Sequence, residues 1–206
     1  MSVRYKIRDQ HGLYFMTCTI CGWVDLFTRK IYRDLVIDSW RYCQKNKGLQ
    51  IHAYVFMSNH IHLIASCKKP DRLESVMRDW KRHCAKSFKN YLNDQEKVES
   101  RRSWLLHLFR YFAKDRRHVQ ENQFWEHDNH PIVLYSPEVI EQKLFYIHRN
   151  PVVAGWVAQA DHWLYSSAPD YAGTRTTPLL DIIPVWQWFY EEGPGIDSMP
   201  DVFTYT

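Results

Sequence analysis

Apolar residues along the chain recur with two different periods, and the alternation between them outlines the elements. Leu13-Tyr14-Phe15-Met16-Thr17-Cys18-Thr19-Ile20 is rich in aromatic and β-branched residues and predicts a first strand. From about Leu26 to Gln44, Phe27, Ile31, Leu35, Val36, Trp40 and Tyr42 return at roughly helical spacing, and Lys47-Gly48 supplies the stop. Leu49 to Met57 predicts a second strand, Ser58-Asn59 a tight turn, and His60 to Ser66 a third strand, so these form a hairpin. Pro70-Asp71 then introduces a second helix from about Arg72 to Leu92, whose inner stripe is Leu73, Val76, Met77, Trp80 and Phe88.

Residues 94–122 are the least regular by pattern. A charged segment leads into Trp104, Leu105, Leu108, Phe109, Tyr111 and Phe112 at helical spacing, followed by Lys114-Asp115-Arg116-Arg117-His118. The expectation is a helical insertion ending in a basic cluster, either packed as a satellite core or offering rings and cations to single-stranded or hairpin DNA. Ile132-Val133-Leu134 reads as a final strand. Ser136-Pro137-Glu138 is a helix start, with Ser136 as N-cap and Pro137 at the first helical position. The helix runs from Glu138 to about Asn150, carries Ile140, Leu144 and Ile147, and is expected to close at Pro151. Residues 1–173 thus form one domain, and the tail 174–206, with Trp186, Trp188, Phe189 and Tyr190, has enough aromatics to dock on it. Internal repeats and low-complexity tracts are absent from the sequence.

Composition changes this picture little. Hydrophobic residues are 45% and aromatics 16% of the 206, more than a disordered chain carries, so the chain is read as folded apart from its ends. The start, Met1-Ser2-Val3-Arg4-Tyr5-Lys6, has no apolar core of a signal peptide, and no apolar run reaches the roughly 20 residues of a membrane span. The expected location is the cytoplasm. Cys18, Cys21, Cys43, Cys67 and Cys84 are an odd set that suits free thiols; Cys18 and Cys21 lack the second ligand pair of a structural zinc. The net charge of +4 permits nucleic acid without requiring it. On the second helix Arg78, Lys81, Arg82, Lys86 and Lys89 form either an ordinary solvated face or a phosphate-contacting one.

Two spacings carry chemistry. In a strand alternate side chains share a face, so His60 and His62 point one way while Ile61 and Leu63 point into a core. Far along the chain, Tyr146 and Asn150 are four apart and share a helix face. Each alone is bland: such a histidine pair is commonly a packing pair, and most helical tyrosines are half-buried amphipathic residues. Together they allow more, because a cation held by two imidazoles and an amide oxygen keeps positions open for a phosphate beside a phenol. A phenol with a pKa near ~10 needs help to lose its proton before it can attack.

The run Tyr54 to Leu63 resembles the His-hydrophobic-His (HUH) motif of the single-tyrosine transposases. Tyr146-Ile147-His148-Arg149-Asn150-Pro151-Val152-Val153-Ala154-Gly155 is similar to their catalytic helix, in particular to that of the REP-associated tyrosine transposases of bacteria, and Phe124-Trp125-Glu126-His127 also fits that group. The resemblance spans about Leu13 to Gly173. It implies a ferredoxin-like α+β fold, the HUH endonuclease/transposase fold, with an antiparallel sheet backed by helices. It further implies that His60, His62 and Asn150 hold Mg²⁺ or Mn²⁺ and that Tyr146 is the nucleophile. The implied reaction cleaves single-stranded DNA beside a REP-like hairpin, leaving a 5′-phosphotyrosine and a free 3′-hydroxyl, in a nucleoid-associated bacterial protein. Arg78, Lys81, Arg82, Lys86, Arg116, Arg117 and Arg149 are the candidate DNA contacts.

Two positions depart from the family pattern: Ser58 stands where relatives usually have proline, and Val153 where many carry arginine. Two other readings compete. One is a domesticated hairpin-binding protein without productive transposition; the other is a relaxase or replication initiator, which would supply a third histidine where this chain has Asn150. The resemblance leaves both a monomer and a homodimer with exchanged tyrosine helices open, and a short intramolecular distance from Tyr146 to His60 and His62 would favour the monomer.

Overall fold

The computed structural model describes residues 6–114 and 121–191. Its centre is a four-stranded antiparallel sheet of β1 (Tyr14–Thr19), β2 (Leu49–Phe56), β3 (His60–Cys67) and β4 (Ile132–Val133), in the order β2-β3-β1-β4. Helix α1 (Lys30–Asn46) joins β1 to β2, and α2 (Leu73–Asn93) follows β3. This is the split βαβ arrangement of ferredoxin-like folds. Between α2 and β4 stands α3 (Arg102–Ala113), and after β4 comes α4 (Pro137–Val153), followed by the short α5 (Ala168–Tyr171) and α6 (Val185–Glu191). Among the described residues no helix is long and apolar enough to cross a membrane.

The sheet has two unlike faces. On one, Tyr14, Met16 and Cys18 of β1 and Ile61, Leu63 and Ala65 of β3 join Val36, Trp40, Trp80, Cys84 and Phe88 of α1 and α2 in the larger core. Trp40 and Trp80 stack there with ring centroids 5.4 Å apart. On the other face Phe15, Val55 and Ile64 meet Ile140, Leu144 and Ile147 of α4. The alternation of β2 is broken at His52. Ile51 pairs with Ala65 but Ala53 pairs with Ile64, so one extra residue in β2 turns Ala53 and Val55 onto the α4 side while Ile51 stays with the larger core. All five cysteines are free and buried.

Two boundaries differ from expectation. Leu26–Thr28 is a separate 3₁₀ turn, and α1 begins only at Lys30, because Arg29 adopts an extended backbone. Pro151 does not end α4; it sits inside the last turn, where its missing N–H removes one helical bond only, and the helix continues to Val153. The stop is Gly155, at φ +72, with Trp156 N–H donating to Pro151 O and Gly155 N–H to Val152 O, both at 2.9 Å. This is a Schellman closure, which needs a left-handed residue.

Helix α3 places Leu105 and Phe109 in the larger core, with Phe109 4.3 Å from Phe124 between ring centroids, while Trp104 and Tyr111 stay exposed. The C-terminal segment lies along β2: Ile182 bridges Ile51, Ile183 N–H donates to Ile51 O at 3.0 Å, and Val185 and Trp188 enter the second core.

Candidate active site

The β2–β3 turn and α4 converge on one place. The turn is pinned from outside: Phe27 N–H donates to Ser58 O at 2.8 Å and Ile20 N–H to Asn59 O at 2.9 Å. His60 and His62 then leave on the α4 face with ring centroids 4.7 Å apart. Opposite His62, across the β1–β3 register, stands Thr17, whose hydroxyl lies 2.9 Å from His62 Nδ1. Phe15, two residues earlier on the same face, stacks on the His62 ring at 5.4 Å. His60 is fixed through Nδ1, 2.6 Å from Asn59 Oδ1.

Helix α4 is started by Ser136, whose hydroxyl accepts from Val139 N–H at 3.4 Å, with Pro137 behind it. Burial of Ile140, Leu144 and Ile147 sets the rotation of the helix, and that rotation leaves Tyr146 beside the histidines. The Tyr146 hydroxyl is 3.4 Å from His62 Nε2, and Phe15 meets the tyrosine ring edge-on at 6.0 Å. Tyr146 is 46% exposed, so solvent or a substrate reaches it. Asn150 lies one turn on and donates through Nδ2 to Tyr146 O at 2.7 Å, so its amide oxygen is the end that can serve as a ligand. His148 faces inward, bonded at 2.8 Å to Ser167 Oγ, and anchors α4 over the edge of β2.

Electrostatics keep both imidazoles neutral. Burial pushes the His62 pKa down to about 3, and repulsion from a protonated His60, were it to form, and from the Lys143 ammonium pushes the same way. Burial also lowers His60. Neutral imidazoles have a lone pair to give. Among the described residues no three His, Cys, Asp or Glu side chains are grouped to hold a metal; the Asn150 amide oxygen is a donor of another kind on the neighbouring helix. Two imidazoles and one amide fit a divalent cation that completes its shell with water or phosphate oxygen.

The proposed DNA contacts scatter. Arg149 is exposed on α4 beside the site, its guanidinium over Phe145 at 5.2 Å. Arg78, Arg82 and Lys86 are exposed on α2, in the layer across the sheet, and the two arginines flank Asp79 at 3.4 and 3.7 Å. Lys81 turns inward. Its ammonium donates to Glu126 O at 3.0 Å, lies 5.6 Å from the Trp125 ring, and is lowered in pKa by burial. Arg116 and Arg117 lie outside the described residues. Sequence reasoning missed Phe15, Thr17, Trp23 and Lys143. The first two could have been found by pairing β1 against β3, and Lys143 by counting one helical turn back from Tyr146; its ammonium lies 5.0 Å from the Phe15 ring and 5.8 Å from that of Tyr146.

Residues 23–121, just under half of the chain, match the family model of the IS200-like transposases. Over that stretch the chain is similar to the IS200-like transposases. The matched stretch holds His60 and His62 and stops short of Tyr146 and Asn150. A solved structure described as a REP-associated tyrosine transposase bound to a REP hairpin is similar in fold. Its TM-score is 0.59 at 17% identity, covering 90% of this chain and 93% of that one. No curated protein matches the sequence.

Proposed function

We propose that this chain cleaves and rejoins single-stranded DNA beside a hairpin, with Tyr146 as the nucleophile. The observation that carries the reading is the 3.4 Å separation of the Tyr146 hydroxyl from His62 Nε2 within a single chain. A nucleophile and two neutral imidazoles meeting in a half-open site have the parts of a phosphoryl-transfer centre. Hairpin DNA is the substrate because the similar fold is solved with one. His60, His62 and Asn150 would hold Mg²⁺ or Mn²⁺, which when bound polarises a phosphoryl oxygen.

The remaining steps belong to the chain's own groups. The Tyr146 oxygen forms a bond to phosphorus and the bond from phosphorus to the 3′-oxygen breaks, giving a 5′-phosphotyrosine and a 3′-hydroxyl. The phenolic proton passes to solvent, which the half-exposed ring meets, and the leaving oxygen takes a proton up. Thr17 holds the plane of His62 through Nδ1, and Phe15 packs both rings. The Lys143 ammonium lies 5.8 Å from the centre of the Tyr146 ring, on the side where a phosphate would approach it. Arg149 is the basic residue best placed for the substrate backbone, and the site works in one subunit.

A hairpin oligonucleotide with single-stranded tails, incubated with Mg²⁺, is expected to give a denaturation-resistant adduct with the native chain. Tyr146→Phe and EDTA should each abolish it. An undiminished adduct with Tyr146→Phe would remove the nucleophile assignment. Mixing Tyr146→Phe with His62→Ala protein should not restore the adduct, because each copy lacks half of its own site; restoration would mean that the tyrosine acts on a partner's histidines.

A further inference from the structure

Trp23 is 69% exposed, although Trp40, Trp80, Trp125 and Trp188 of the same chain are buried. It is also held in a backbone conformation that bulky residues avoid, with φ +56, directly after Gly22 at φ +63. An unfavourable backbone around an exposed indole brings nothing to the core, and such strain collects where a side chain has to be presented. The mount is rigid. Cys21 N–H donates to Phe124 O at 2.9 Å, Trp23 N–H to Ile20 O at 3.1 Å, and Asn59 Nδ2 to Trp23 O at 3.3 Å. Gly22 lies so close under the Phe112 ring that a Cβ there would run into it.

The place matters as much as the pose. The indole meets the His60 ring edge-on, with centroids 6.3 Å apart, and Asn59 joins the two by bonding both Trp23 O and His60 Nδ1. The flanking residues are bonded too: Gly22 N–H donates to Glu126 Oε1 at 3.4 Å, and Asp25 pairs with Arg101 at 3.0 Å. One exposed indole meeting an imidazole edge-on is a small ring surface, not the broad contiguous apolar patch of a protein interface. An exposed indole held flat in this way beside His60 offers its face to the flat face of a base.

We infer that Trp23 is a stacking platform for one unpaired nucleobase of the strand entering the site, positioning the neighbouring phosphate at His60. The inference rests on the DNA reading of the site. Stacking on a ring already fixed in place loses little further freedom and tolerates any base, so Trp23 sets position rather than sequence.

The test uses full-length Tyr146→Phe protein, which binds without cutting, and a tailed hairpin in which each tail base is replaced in turn by an abasic site. In that background Trp23→Ala should weaken binding roughly tenfold to a hundredfold, and Trp23→Phe should keep most of the affinity. One abasic position should cost the protein that retains Trp23 the same factor and cost the Trp23→Ala variant almost nothing further. Equal affinity with and without the Trp23→Ala change, or abasic losses that simply add to the Trp23→Ala loss at every position, would overturn the platform while leaving the function intact. A Trp23→Ala effect on self-association in place of DNA coupling would assign the ring to a protein contact. Failure of the protein that retains Trp23 to bind any tailed hairpin would sink the DNA reading itself, and the platform with it.

Discussion

The two faces of the sheet are built from the same strands but do opposite work. Toward α1 and α2, β1 and β3 present Met16, Cys18, Ile61 and Leu63, all fully buried, and no histidine. Toward α4 the same strands present Phe15, Thr17, His60 and His62, and the covering helix leaves Tyr146 half-exposed. One face is closed by α1 and α2 with Leu105 and Phe109 of α3 beside them; the other is covered by α4 and by Val185 and Trp188 of the C-terminal segment, and leaves the tyrosine open. The lesson is that stability and chemistry are separated by strand alternation, one residue apart along β3. A substitution on one face should therefore act on folding, and on the other on the reaction.

The largest expected effect tests the closed face. Trp80→Ala removes an indole stacked on Trp40 and packed against Trp125, and should cost about 3–5 kcal/mol by urea unfolding. A loss below about 1 kcal/mol would mean that this core repacks easily and that the contrast between the faces is overstated.

The second bears on the α4 face through His52, the extra residue of the β2 bulge. It is buried, bonded at 2.9 Å to Ile183 O and at 2.8 Å to Ser66 Oγ, and its pKa is lowered by burial to about 4. The unfolded chain binds a proton below about pH 6.5 that the folded chain refuses until near pH 4. Stability from this residue is thus complete above the unfolded pKa and lost as pH falls through that window, by on the order of 3 kcal/mol. Burial of His148 acts in the same direction. Unfolding midpoints measured between pH 7 and 4.5 should fall, and His52→Gln should flatten the slope. An unchanged slope would show that the bulge does not couple the C-terminal segment to pH.

The smallest effect sharpens the contrast most. Thr17→Val removes the hydroxyl beside His62 Nδ1 and keeps the β-branched shape. Stability should change by no more than about 1 kcal/mol, whereas the rate of adduct formation should fall roughly 10- to 100-fold, the usual cost of losing a partner that orients a ligating imidazole. A variant that unfolds early but reacts at the native rate would reverse the assignment of the two faces.

Much of this was legible before any coordinates. Strand alternation alone placed Ile61 and Leu63 in the core and His60 with His62 on the other side, because period-2 patterning is a local property of the backbone. The Ser136-Pro137 start of α4 was equally local. Two local signals competed at its end: Pro151 looked like the stop, but a proline in the final turn costs only one bond, and the left-handed Gly155 closes the helix instead. The basic residues of α2 could not be sorted by spacing. Lys81 turns in toward Glu126 while Arg78 and Arg82 stay out, a choice made by what packs beside each one.

By itself, then, the sequence determined the elements, the shared face of the histidines and the shared face of Tyr146 and Asn150, since each follows from dihedral geometry over a few residues. Only the tertiary structure decided that Tyr146 meets His62, 84 positions away, that Phe15, Thr17 and Lys143 surround the pair, and that Trp23 meets His60. Those contacts depend on strand register and on the rotation of α4, which burial of Ile140, Leu144 and Ile147 fixes through side chains remote in the chain. No period along the sequence carries that information.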